Sequence, residues 1–271
     1  LTTDQINQVI AYFNLDRTLK PDILCNTIKQ GITNENHAEF GDKLIDFSGN
    51  GRDIQLNNIA WNKESGIDDN GALCLDGVND FGKVTGMPIY KDYTFIIERE
   101  FLNETFPNQV CLVSKSKVAS EIENGGAFIV DNISVNSIIN PYSFYKTTSL
   151  PGLNTFDRQI VFQSKYKYLD KDIAAGTATD SDTLWLGTFR DNDSRFANVA
   201  IYSLMSFPYS MSKFLIERQL KKHKLGTLYP DMVEFRPIIK ANDNYKIFYT
   251  AMLPLTGDIW ERINIGDYVP V

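Results

Sequence analysis

Apolar and polar residues alternate in short runs along most of this chain. Residues 54–61, 72–76, 80–85, 93–101, 109–115, 126–131, 133–139, 158–165, 183–189 and 196–203 read as strands bounded by Gly, Asn, Asp or Pro. A period of two over four to eight residues marks a strand with one buried face, and many such strands with regular turns predict a sandwich or barrel. Asn50-Gly51 can take the positive φ angles that a tight turn requires. Residues 211–223 are the one well-marked helix, with Ser210 or Ser212 as its cap. Arg218, Lys221, Lys222, His223 and Lys224 crowd its negative end, and Gly226 is placed to close it. The basic cluster reads as a solvated helix end rather than an anion or membrane contact.

The N-terminus carries two patterns at once. Ile6, Val9, Ile10 and Phe13 fit a helix that Thr2 or Thr3 could cap, whereas Ala11, Phe13 and Leu15 alternate as in a strand. A short helix to about Gln8 followed by a strand satisfies both. Residues 16–42 show little periodicity and read as a long loop. After Leu228, three alternating segments punctuated by prolines suggest a β appendage at residues 229–271, or the start of a further β domain. A hairpin alone is marginally stable, so this part is expected to dock on neighbouring domains or subunits.

The segment Lys43–Val84 carries a resemblance. Its D-x-SGNG, a strand ending in Trp61, and G-A-L-x-L-D-G-x-x-D-F are similar to the opening of a laminin-G-like domain of the concanavalin A-like lectin and glucanase superfamily. Fainter likeness continues through Tyr93–Phe101, Leu184–Gly187 and Asn198–Tyr202. The resemblance makes Val9–Leu15 the first strand. It implies an all-β fold, an antiparallel concanavalin A-like jelly-roll sandwich over residues 1–228 with the helix closing it. The SGNG-R-D-I spelling and long lead-in look most like such domains in surface proteins of gut Bacteroidales and their phages, which implies an extracellular, cell-surface or virion setting.

Composition narrows the function classes. With 271 residues, 43% of them hydrophobic, the chain can bury one large core. A net charge of −7 argues against a nucleic-acid partner. No apolar run is long enough to insert in a membrane. The chain starts at Leu1, as a processed product or fragment would. Cys25, Cys74 and Cys111 have no metal-ligand spacing, and Cys74 and Cys111 sit in apolar runs as small hydrophobes.

Nucleophilic catalysis lacks its parts, since the two histidines, His37 and His223, lie in a polar loop and the basic helix end, and no G-x-S-x-G elbow occurs. The superfamily's glucanases are similar to one another in an acidic strand motif. Here Glu98, Glu100 and Glu104 of EREFLNE match its longer spacing, with Glu replacing the middle Asp. Two residues apart on a strand, Glu98 and Glu100 would stand about 6.6 Å apart, in the range for glycoside cleavage. The competing view is that they are surface glutamates of an early strand, and we take the chain as non-catalytic.

Calcium is the one cofactor considered. Asp46, Asn50, Asp76 and Asp80 at the two signature turns could supply oxygen ligands, as could Asp191-Asn192-Asp193, although Asp and Asn are also the usual turn formers. For a sugar, an aromatic platform with polar neighbours is required. Tyr142 and Tyr145 in one loop, and Arg190 and Asp191 in another, are the candidates, while Trp61 and Trp185 are read as core. The expected function is non-catalytic recognition of a glycan or cell-surface polysaccharide, with a structural role in a surface or tail protein as the alternative.

Overall fold

A computed structural model of the chain describes residues 2, 5–7, 9, 19–103, 110–115, 128–130, 133, 138–144, 146–153, 156–177, 180–190, 195–223, 232–234, 239–240, 246–247 and 252–254. The chain divides into two compact units, Lys20–Ser210 and Leu1–Leu19 together with Met211–Val271.

The larger unit is an all-β antiparallel sandwich. In chain order its strands are β1 (Ile23–Asn26), β2 (Lys43–Leu44), β3 (Ile54–Asn57), β4 (Gly66–Ile67), β5 (Leu73–Asp76), β6 (Phe81–Val84), β7 (Thr94–Phe101) and β8 (Val113–Lys115). They continue as β9 (Phe128–Val130), β10 (Tyr142–Ser143), β11 (Lys146–Thr147), β12 (Gln159–Ser164), β13 (Lys167–Tyr168), β14 (Lys171–Asp172), β15 (Leu184–Leu186) and β16 (Asn198–Phe207). The first sheet runs β14-β13-β12-β7-β16-β5-β4, with β1 also on β16; the second runs β11-β10-β9-β8-β15-β6-β3-β2.

Alternation decides which side chains meet between the sheets. Phe95, Ile97 and Phe101 of β7, Val199 and Ile201 of β16, and Leu73 and Leu75 of β5 enter one core with Ile54, Leu56, Val84, Leu184 and Leu186 of the second sheet. A Cβ on Gly82 would come 2.6 Å from Ile54 Cγ2, so β6 crosses the core where only glycine fits. Beside it, Gly187 has φ +79° and a Cβ there would meet Leu75 Cδ1 at 2.2 Å.

Three expectations need correction. Residues 16–42 are not one loop: β1 lies within them, followed by α1 (Thr27–Gln30) and a 3₁₀ turn at His37–Phe40. Ile23, Leu24 and Cys25 are all buried, so β1 shows a short unbroken apolar run rather than alternation. It pairs with the second half of β16, Ile23 opposite Ser206, and β16 accordingly extends to Phe207, past the expected 203. Of the expected strand 133–139, Ile133 and Ile139 form isolated bridges, and residues 134–137 lie outside the described residues. Finally, β3 stops at Asn57, because Asn58 turns to φ 65°. Trp61 is therefore in a loop, with φ 55° and its ring stacked 4.0 Å from that of His37; it is half-buried against the core.

In the smaller unit, Thr2 opens the N-terminal helical turn through a reciprocal box. Gln5 N donates to Thr2 Oγ1 at 3.2 Å and Thr2 N donates to Gln5 Oε1 at 2.9 Å. Val9 is helical, and residues 10–15 of the expected first strand lie outside the described residues. Helix α2 (Lys213–His223) forms where expected. Ser212 is its cap, its Oγ accepting from Leu215 N at 3.4 Å, while Ser210 instead donates to Asp92 within the sandwich. Gly226 lies outside the described residues. Of the C-terminal segment, β17 (Met232–Glu234) pairs with β20 (Met252–Pro254), and β18 (Ile239–Lys240) with β19 (Lys246–Ile247), both antiparallel. Among the described residues no helix is long and apolar enough to cross a membrane.

Candidate functional site

The outer face of the second sheet assembles the aromatic and cationic residues. Because directly paired residues put their side chains on the same face, the register defines a row. Tyr142 stands opposite Ile129, Ile129 opposite Ser114, Ser114 opposite Trp185, Trp185 opposite Lys83, Lys83 opposite Gln55 and Gln55 opposite Lys43. Trp185 lies between Leu184 and Leu186, both in the inter-sheet core, so the row faces outward.

Trp185 is nonetheless fully buried, as expected of a core residue, but on the outer side. The Lys83 ammonium sits 4.4 Å from its ring centre, and the Phe81 ring approaches at 5.9 Å and 47°. Phe81 in turn lies 6.5 Å from Phe196. At the other end of the row, Tyr142 packs on Phe189 and Cys111. Arg190 and Arg195 each place a guanidinium 4.7 Å from the Phe189 ring centre. Two of the sequence-derived loop candidates, Tyr142 and Arg190, thus meet around one phenylalanine. Tyr145 and Asp191, with Asn192 and Asp193, lie outside the described residues. Phe81, Lys83 and Arg195 were not singled out from sequence. The F-G-K-V alternation of β6 carried the signal for the first two, since Gly82 and Val84 face the core.

The glutamates occupy the outer face of the first sheet instead. Glu98 is buried, and its Oε1 accepts from Arg158 Nη2 at 2.8 Å and Nε at 3.1 Å, a two-pronged ion pair. Arg158 also lies 3.6 Å from the ring centre of Tyr202, the extra residue at a bulge of β16. Glu100 is half-buried on the same face, opposite Ala200, and Glu104 lies outside the described residues.

The acids of the two signature turns serve the turns themselves. Asp46 Oδ1 accepts from Leu24 N at 3.0 Å and Ser48 N at 2.9 Å; Oδ2 accepts from Ser48 Oγ at 2.7 Å and Arg52 N at 3.0 Å. Asn50 Nδ2 donates to the carbonyls of Pro21 and Asp22 at 3.2 and 3.1 Å. Asp76 Oδ1 accepts from Val78 N at 2.7 Å, and buried Asp80 accepts from Asp76 N at 3.0 Å. Among the described residues no three His, Cys, Asp or Glu side chains gather as a metal site.

The three cysteines are buried thiols outside any disulfide, Cys25 included. Burial first, then the charges of Asp68 and Glu100, push the Cys74 thiol up to about 12. At pH 8 its thiolate fraction is then of order 10⁻⁴, and thiolate is the reactive form. We expect a thiol reagent such as Ellman's to leave Cys74 unmodified over minutes in the native protein and to titrate it on unfolding; rapid native labelling would contradict the burial.

No protein-family model and no curated protein matches this chain. Solved structures do. A Trypanosoma rangeli sialidase in complex with sialic acid superimposes with a TM-score of 0.50 at 11% identity, over 76% of this chain and 33% of the sialidase. The binding domain of botulinum neurotoxin serotype D gives a TM-score of 0.47 at 13% identity, over 85% of this chain and 62% of that one. The likeness is one of fold. The chain spans about a third of the sialidase and under two thirds of the toxin domain, and shared fold by itself carries no activity.

Proposed function

We propose that this chain is a non-catalytic carbohydrate-recognition module that binds its ligand on the outer face of the second sheet. The observation that carries this reading is the meeting of Tyr142, Phe189 and Arg190 beside an outward row of polar and aromatic side chains. A ring flanked by donors suits a sugar, whose C–H face stacks while its hydroxyls take hydrogen bonds. The two-pronged hold of Arg158 on buried Glu98 gives that member of the acidic motif a structural task, which supports the non-catalytic choice. Such a module fits an extracellular, cell-surface or virion protein related to laminin-G-like domains, with residues 229–271 as its contact to neighbouring domains.

The test is a glycan array on the purified chain, with and without calcium, followed by a cleavage assay on every hit. We expect binding without cleavage, weakened about tenfold or more by Tyr142→Ala, the loss associated with one well-placed aromatic contact. Cleavage abolished by Glu98→Gln would replace this reading with a glycoside hydrolase.

A further inference from the structure

The chain is acidic overall, with a net charge of −7, yet the described strand positions on the outer face of the second sheet carry lysines and no carboxylate. These positions, from register and alternation, are Lys43, Gln55, Asn57, Phe81, Lys83, Ser114, Trp185, Tyr142 and Thr147. The two arginines over Phe189 join them at one end. Stacking uses the flat face of a guanidinium, whereas a carboxylate or sulfate is taken by the N–H groups along its edge, so one arginine can serve both contacts. A cation laid on a ring is also pre-positioned, which lowers the side-chain entropy lost when an anion arrives.

Resting on the recognition reading above, we infer that the ligand of this face is an acidic glycan, whose carboxylate or sulfate groups are held by Arg190, Arg195 and Lys83 while its sugar rings lie against Tyr142 and Phe81. Attraction between a cationic face and a polyanion decays with ionic strength over a Debye length of about 10 Å at 0.1 M salt. Affinity should therefore fall as salt rises, and neutral sugars should lose to their acidic counterparts.

The experiment compares matched probes on the whole chain: sialyllactose against lactose, polygalacturonate against galactan, and a sulfated against an unsulfated galactan. We expect at least one acidic member to bind about tenfold or more tightly than its neutral match, and raising salt from about 0.05 to 0.3 M to weaken it severalfold. The double variant Arg190→Gln/Arg195→Gln should lose about tenfold for the acidic probe, with Arg190→Lys losing less, and each should lose less for the neutral match than for the acidic probe. Lys83→Gln, a surface change on β6, provides an independent arm, and the melting curve of each variant establishes that it is folded. Equal affinity for acidic and neutral members would overturn the acidic assignment and leave sugar recognition standing. Silence toward both members of every pair would overturn both.

Discussion

Replacing Lys115 by Met should cost the sandwich about 3–5 kcal/mol, the range for breaking a buried ion pair by removing one partner. Lys115 ends β8 with its side chain fully buried. Its Nζ donates to Asp180 Oδ2 and to Pro88 O, both at 2.5 Å, and lies 3.9 Å from the centre of the Tyr90 ring. Asp180 is equally committed: Oδ2 accepts from Tyr90 N at 2.7 Å and Oδ1 from Ser181 N at 2.8 Å. Tyr90 OH shares a 3.0 Å hydrogen bond with Ser206 Oγ of β16. The pair thus ties β8 of the second sheet, through two loops, to β16 of the first.

Burial pushes the Asp180 carboxyl up and the Lys115 ammonium down, each opposed by its partner. Without Lys115 the opposing charge is gone and the Asp180 carboxyl rises further. A carboxyl whose folded pKa lies above its unfolded value binds its proton more tightly when folded. The stability this provides is present in acid and lost as pH rises through the folded pKa. The deficit of Lys115→Met should accordingly shrink between pH 7 and pH 5. Adding Asp180→Leu should restore only part of the loss, because the unpaired buried charge is removed while Tyr90 N and Ser181 N lose their acceptor. Denaturant melts of the four proteins in the cycle measure this. A single variant with unchanged midpoint would sink the assignment.

Asp46→Ala is expected to lose about 3 kcal/mol, a melting temperature lower by about 6–12 °C for a unit of this size. The carboxylate holds the amides of Ser48 and Arg52 in the SGNG turn and that of Leu24 in β1, so its loss leaves one buried and two part-buried donors without their acceptor. Asp46→Asn should recover only part, since its oxygen can still accept from Leu24 N and Ser48 N while its amide nitrogen would confront Arg52 N. The loss should be the same in calcium and in chelator. A penalty seen only in calcium would assign Asp46 to a metal instead.

This second case shows how much of the motif was legible. D-x-SGNG is readable as a turn because Gly49 and Gly51 take φ 86° and 69° and Asp46 sits where its carboxylate reaches the turn's amides. What the spacing did not reveal is that the same carboxylate reaches β1, 22 residues earlier in the chain. That strand was invisible because its three buried residues do not alternate, and burial on both sides is set by its partner rather than by itself. Trp61 and Trp185 invert in the same way. Both lie near apolar runs, but one belongs to a loop opened by positive φ at Asn58, and the other is buried outside the core by Lys83 and Phe81.

By itself, the sequence narrowed the fold to a sandwich or barrel through a period of two punctuated by Gly, Asn and Pro, and capping residues mark α2 just as locally. The tertiary structure alone decided which loops share a face, because strand register is a relation between distant segments. It brought Tyr142 to Arg190 across 48 positions of chain and set Lys83 beside Trp185. It also turned Lys115, on a strand of otherwise ordinary pattern, inward onto Asp180, 65 residues away. Local chemistry fixes the period of a strand; only packing fixes its neighbours.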